Sequence, residues 1–237
     1  VSEERNLQFF FDNRERALVE KNGFFGIDNV TPGLHSLMVS RDGYWPWAKT
    51  FRDHANAKRP VSVFLLPMEG IEKTVVSSEL AEYKEATDKI ESSKVRQSSY
   101  VSDLSEDESF SEWLSDNFPD RKLSTDKSTA LFVQDNTLYA GWESDVEPLP
   151  FYFCEENPCK FMLPVIVPED VIKSVAFYGS IRDVVLFSAG ATVYAIELDR
   201  EGTQNFQPVY KGDDPYFYVD ENVLYIKDGS SIVKAKL

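Results

Sequence analysis

TPGLHSLMVSRDGYWPW, residues 31–47, is the stretch on which the reading of the fold turns. Pro32-Gly33 is turn chemistry: proline presets φ for the first central position of a type II turn, and glycine supplies the positive φ of the second. Residues 34–40 then read as a strand, and Asp42-Gly43 turns the chain again. The same rhythm continues outward on both sides. Leu7, Phe9 and Phe11 alternate before Asp12-Asn13, residues 17–20 form a short run closed by Asn22-Gly23, and residues 26–30 lead into the Pro-Gly turn. Downstream, residues 48–51 form another run, a polar loop covers 52–59, and residues 61–66 make a strand candidate stopped by Pro67. Five or six short strands in about sixty residues predict one compact β-sandwich, at residues 1–67.

The character changes over residues 68–127, where Ser, Glu, Asp and Lys dominate and strand signals vanish. The spacing there predicts one or two amphipathic helices. Over 78–90, Leu80, Tyr83, Ala86 or Thr87, and Ile90 recur at helical intervals. Over 105–118, Phe110, Trp113, Leu114 and Phe118 share one face, with Ser105 as N-cap and acidic residues against the macrodipole. The segment reads as an acidic connection with a docking helix; a partner-binding face at those four residues is the sharper alternative.

Strands return over 128–237, now in pairs around Asp135-Asn136, Ala189-Gly190, Asp220-Glu221-Asn222 and Asp228-Gly229. Three strand-turn-strand units recur roughly every forty residues, each with an apolar residue before a tyrosine: Leu138-Tyr139, Val193-Tyr194 and Leu224-Tyr225. That spacing resembles β-propeller blades. A propeller closes with roughly four to eight of them, so three units need their edges covered another way. The expected fold class is mainly β: an N-terminal sandwich, an acidic connecting segment with helices, and a C-terminal antiparallel domain of blade-like hairpins.

A formal net charge of −15 repels phosphate backbones and anionic lipid headgroups, which argues against nucleic acid and against peripheral membrane binding. No apolar run approaches the ~20 residues that cross a bilayer. The chain starts at Val1 rather than methionine, which is compatible with a missing signal or anchor. Cys154 and Cys159 flank Glu-Glu-Asn-Pro, a turn-forming insert. A zinc site needs about four ligands, and neither His35 nor His54 is near in sequence. A local disulfide is therefore preferred over half of a metal site, with two free thiols as the remaining alternative. A disulfide implies an oxidising, extracytoplasmic compartment.

The pattern PGLHSLMVSRDGY, residues 32–44, combines a Pro-Gly turn, a strand whose last apolar positions are Leu37 and Val39, and Gly43-Tyr44. With it, residues 7–66 resemble a PEGA domain, a small extracytoplasmic β-sandwich module of bacteria and archaea. The family's Pro-Glu-Gly-Ala tetrad corresponds to Arg14-Glu15-Arg16-Ala17, where Glu15 and Ala17 match and two arginines stand at the Pro and Gly positions. The resemblance implies a periplasmic or cell-surface location, a membrane anchor upstream of Val1, and a scaffold or binding role. It implies no catalytic residue.

No P-loop, Gly-rich dinucleotide turn, HExxH or GxSxG occurs in the chain. His35 reads as a half-buried strand residue and His54 as a solvated loop residue, neither catalytic without a third group. Forty acidic residues make some carboxylate pair inevitable, so a hydrolase has no specific support. Residues 102–112 lack the ordered spacing of a calcium loop and read as an acidic helix start. Tyr44, Trp45 and Trp47 are the candidate binding residues: extended aromatics form a platform for sugar rings, or else the indoles are packed at a domain interface. The expected function is a non-enzymatic envelope scaffold or interaction module, without metal or cofactor, whose partner is an envelope protein. The alternative is a glycan- or peptidoglycan-binding protein that uses this aromatic platform.

Overall fold

The computed structural model describes residues 7–17, 19–21, 24–53, 61, 63–96, 109–144, 148–154 and 158–237. It is mainly β and divides into two units: Val1–Gly70 with Arg200–Asn205, and Ile71–Asp199 with Phe206–Leu237.

The first unit contains β1 (Gln8–Phe11), β2 (Arg14–Glu15), β3 (Val19–Lys21), β4 (Phe24–Gly26), β5 (Gly33–Ser40) and β6 (Trp47–Asp53). Its main sheet has the order β2-β1-β5-β6, and β3 pairs with β4 in a separate two-stranded sheet. Asp12 and Asn13 both take positive φ, 49° and 60°, as a two-residue type I′ hairpin requires. The register sets Phe11 opposite Leu37, Val39 opposite Trp47 and His35 opposite Phe51. Directly opposed residues share a face, and on this one Phe11, His35, Val39, Trp47 and Phe51 are buried. Strand β6 would be an open edge, but Arg200–Asn205 lies along it. Ala48 N–H donates to Asn205 Oδ1 and Asn205 Nδ2 donates back to Ala48 O, both at 3.0 Å, while Arg52 N–H donates to Glu201 Oε1 at 2.9 Å. These outward groups of Ala48 and Arg52 are thereby satisfied, and the edge is covered there.

The expected strand at 61–66 does not form among its described residues. Two hydrogen bonds, Trp45 N–H to Leu66 O and Met68 N–H to Gly43 O, and an isolated bridge between Tyr44 and Pro67 attach this segment instead. Phe64 and Leu66 are buried without a ladder, so an apolar run here serves burial rather than pairing.

The second unit begins with β7 (Lys73–Val76), α1 (Ala81–Ser92) and α2 (Phe110–Asn117). It continues with β8 (Lys122–Leu123), β9 (Thr129–Gln134), β10 (Thr137–Trp142), a 3-10 turn at Phe151–Phe153, β11 (Met162–Ile166) and β12 (Ile172–Tyr178). It ends with β13 (Ile181–Ala189), β14 (Thr192–Glu197), β15 (Phe206–Lys211), β16 (Tyr216–Asp220), β17 (Val223–Asp228) and β18 (Ser231–Lys236). These strands make three four-stranded antiparallel sheets: β11-β10-β9-β8, β12-β13-β14-β15 and β16-β17-β18-β7. Strand β7 lies in a stretch where composition predicts no strand, and it completes the third sheet.

The inner strand β12 runs beside both β8 and β16. Leu131, Val133, Leu138 and Ala140 of the first sheet form one buried cluster with Val175, Val185, Phe187 and Ile196 of the second. The second and third sheets meet where Phe217 N–H donates to Ser174 Oγ at 3.2 Å. Each terminal face then takes a helix. On the far side of the first sheet, α2 packs Trp113, Leu114 and Phe118 against Ala130 and Phe132. On the third, α1 packs Ala86 against Val76 and Ile232, while Lys234 and Tyr225 both reach Glu82. Three sheets therefore need no ring, because a helix covers each end of the stack. Two outer edge strands, β11 and β15, carry Pro164 and Pro208, which lack the N–H that an added strand would seek.

Helix α2 starts later than the expected residue 105. Ser109 is its N-cap, accepting from Glu112 N–H through Oγ while the Glu112 carboxylate accepts from Ser109 N–H. This capping box satisfies two otherwise orphaned donors; Ser105 lies outside the described residues. Helix α1 spans Ala81–Ser92 rather than 78–90, with Leu80 at the N-cap.

Candidate functional site

The aromatic stretch does not present its rings as one exposed row. Trp47 is 2% exposed, at the start of β6. Trp45 is half-buried, and its Nε1 is enclosed with no hydrogen-bond partner among the described residues. Tyr44 is half-buried under the Arg41 guanidinium, 4.5 Å from the ring centre. Alternation along the extended chain directs Trp45 and Trp47 to the same side, and that side is not open at Trp47.

His35 is also occupied. One ring nitrogen, Nδ1, lies 2.8 Å from Asp12 Oδ2, and Nε2 lies 2.6 Å from Thr31 O. Both neighbours carry acceptor oxygens, so each ring nitrogen faces an acceptor. The bond from His35, followed by that from Ser36 N–H, holds the Asp12 carboxyl below the usual carboxylate range. His54 lies outside the described residues. Cys154 and Cys159 are at disulfide distance, with Cα atoms 4.1 Å apart, and no cysteine is free. Cys154 N–H donates to Phe151 O and Lys160 N–H to Phe153 O, which ties the loop to the 3-10 turn.

A cavity of about 260 Å³ opens within the second unit, beside the inner strands. Its apolar walls come from Phe118, Leu131, Val133 and Val175. Its construction is local. After α2, Arg121 N–H donates to Phe118 O, turning the chain into the two-residue strand β8. Lys122 pairs opposite Leu131 there, which puts the lysine on the face that buries Leu131. A cation thus stands at a core-facing position.

The neighbouring charges are spoken for. Arg121 donates through Nε and Nη2 to the Glu143 carboxylate and through Nη2 to Ser115 Oγ. Arg96 pairs with Asp120 at 3.4 Å. Lys122 Nζ makes no hydrogen bond or ion pair among the described residues; Asp120 acts on it only at longer range, and burial pushes its amine below the ordinary lysine value. In sequence, Arg121-Lys122 reads as ordinary solvated charge, and the alternation of Lys122 with Leu123 would place the leucine inward, whereas Leu123 is exposed and Lys122 takes the core-facing position.

Compared with known proteins, the chain matches no family model, no curated protein and no solved structure.

Proposed function

We propose that the chain is a non-catalytic interaction module that works outside the cytoplasm, in which a PEGA-like N-terminal unit acts as spacer and the three-sheet unit as the scaffold. In full-length form a segment upstream of Val1 tethers it to the membrane, and its partner is another envelope protein. The observation that carries this reading is the Cys154–Cys159 pair at disulfide distance, since structural disulfides persist in oxidising compartments. The enclosure of Trp47 supports a scaffold over an aromatic sugar platform.

The test is acid-quenched alkylation of the protein in its own cells, combined with fractionation. The expected result is a thiol pair that resists alkylation until reduced, in an extracytoplasmic fraction. A reduced pair in the cytoplasmic fraction would sink the reading.

A further inference from the structure

We propose that the groove at Lys122 binds a small monocarboxylate with an apolar body, its carboxylate on the Lys122 ammonium and its chain along Phe118, Leu131, Val133 and Val175. This site is independent of the compartment assigned above and stands or falls separately.

Three observations lead there. Lys122 is a cation on the face of β8 that buries Leu131, and it lacks any hydrogen bond or ion pair among the described residues. A partly buried ammonium without a partner is costly, so a group that pairs with it gains more than it would at an exposed lysine. The other cations at the groove, Arg96 and Arg121, already hold Asp120 and Glu143. One positive charge is therefore available.

The charge count also selects among anions. Lysine is a point charge rather than a fork, and phosphate binding normally recruits several donors. A second negative group would find no further uncommitted cation among the groove's described residues and would add to the field of a chain with net charge −15. A single carboxylate fits; a dicarboxylate or phosphate does not. The walls are apolar, and a volume of about 260 Å³ is below the roughly 300–1,000 Å³ of drug-sized pockets. A short aliphatic or aromatic acid suits that space.

The experiment titrates the full chain with octanoate, octanamide and suberate while amide resonances are followed by NMR. The expected result is saturable shifts from octanoate at Val95, Lys122, Val133 and Val175. Octanamide should bind at least roughly tenfold more weakly, as loss of one charge-assisted contact implies, and suberate should also bind more weakly, because its second carboxylate has no cation to meet. Lys122→Gln should bring octanoate down to the level of octanamide, with the spectrum itself reporting that the variant is folded. The comparison of the three probes on the unaltered protein stands even if the variant fails to fold. Absence of octanoate binding, equal affinity for octanamide, or undiminished binding by folded Lys122→Gln would each overturn the proposal.

Discussion

Gly141 on β10 allows α2 to approach the first sheet, and replacing it should be rescued by a second substitution across the contact. A Cβ at Gly141 would fall 2.9 Å from Leu114 Cδ1, 3.2 Å from Phe110 Cε1 and 3.3 Å from Phe132 Cε1. The first distance is shorter than carbon atoms tolerate, and Leu114 is wholly buried. Gly141→Ala alone is overpacking and should cost about 1–3 kcal/mol. Leu114→Ala alone removes buried methyl groups and leaves a cavity, which should cost about 2–5 kcal/mol. Additivity would place the double variant at the sum, roughly 3–8 kcal/mol. Removing Leu114 Cδ1, however, clears the worst contact, and the new methyl partly refills the cavity. The double variant should therefore be destabilised by no more than Leu114→Ala, a coupling of about 1–3 kcal/mol in favour of stability. Urea unfolding of the four proteins gives the global values, and amide exchange at Trp113 and Phe118, which donate to Ser109 O and Leu114 O, gives the local ones. Effects that add to within about 0.5 kcal/mol would refute the claim that Gly141 exists for this approach.

His35→Phe should keep the stacking on Phe11 but raise the Asp12 pKa toward its ordinary value, read by carboxyl-carbon NMR titration; an unmoved Asp12 would contradict the geometry. Because the folded Asp12 pKa is depressed, its contribution is present above the unfolded carboxylate value and is lost as pH falls through the folded one, so the variant should flatten the acid limb of stability. Lys122→Met should stabilise the unit at neutral pH, since the folded state disfavours the ammonium. That gain should shrink as pH rises toward the ordinary lysine value of about 10.4, measured as urea midpoints at pH 7 and 10. Glu82→Gln should loosen α1 by less than about 1 kcal/mol, because its partners are surface-accessible. Ile232→Ala beneath the same helix should cost about 2–5 kcal/mol in the same assay. Reducing Cys154–Cys159 should cost about 2 kcal/mol in the chain-entropy account, seen as faster exchange at Cys154 and Lys160 amides, with the rest of the unit unchanged.

Hairpins were legible where turn residues and alternation agreed. Asp135-Asn136 takes two positive φ values between β9 and β10, as Asp12-Asn13 does between β1 and β2. The tyrosine repeat was only partly a structural one. Tyr139 and Tyr194 each face a proline of an outer edge strand beside a register shift, Pro164 and Pro208. Tyr225 instead faces Lys234 and Tyr218, because it lies on β17, whose neighbours are β16 and β18, and not on the strand next to the outer edge β7. A four-residue strand with a distant partner leaves no local mark. The helices were visible from their apolar spacing, but their starts depend on caps, and Ser105 and Ser109 both precede a glutamate by three residues. At the candidate sites, the tryptophans were conspicuous because they are rare. Lys122 was not, because a lysine in a polar stretch looks the same whether it faces water or a core.

The pairing of β7 with β18 also constrains how the protein is made. Val76 lies opposite Ile232, a separation of 232 − 76 = 156 residues. At translation rates of about 5–20 residues per second, β7 emerges on the order of ten to thirty seconds before its partner exists. The first and second sheets can each form in order of synthesis, but the third cannot, and α1 has no complete platform until β18 arrives. During that interval Val75 and Val76 lack their partner strand, so the nascent chain gains from a chaperone that shields them. A premature stop before residue 231 would make that exposure permanent, and a quality-control protease would meet a chain whose first two sheets are sound and whose third is unfinished.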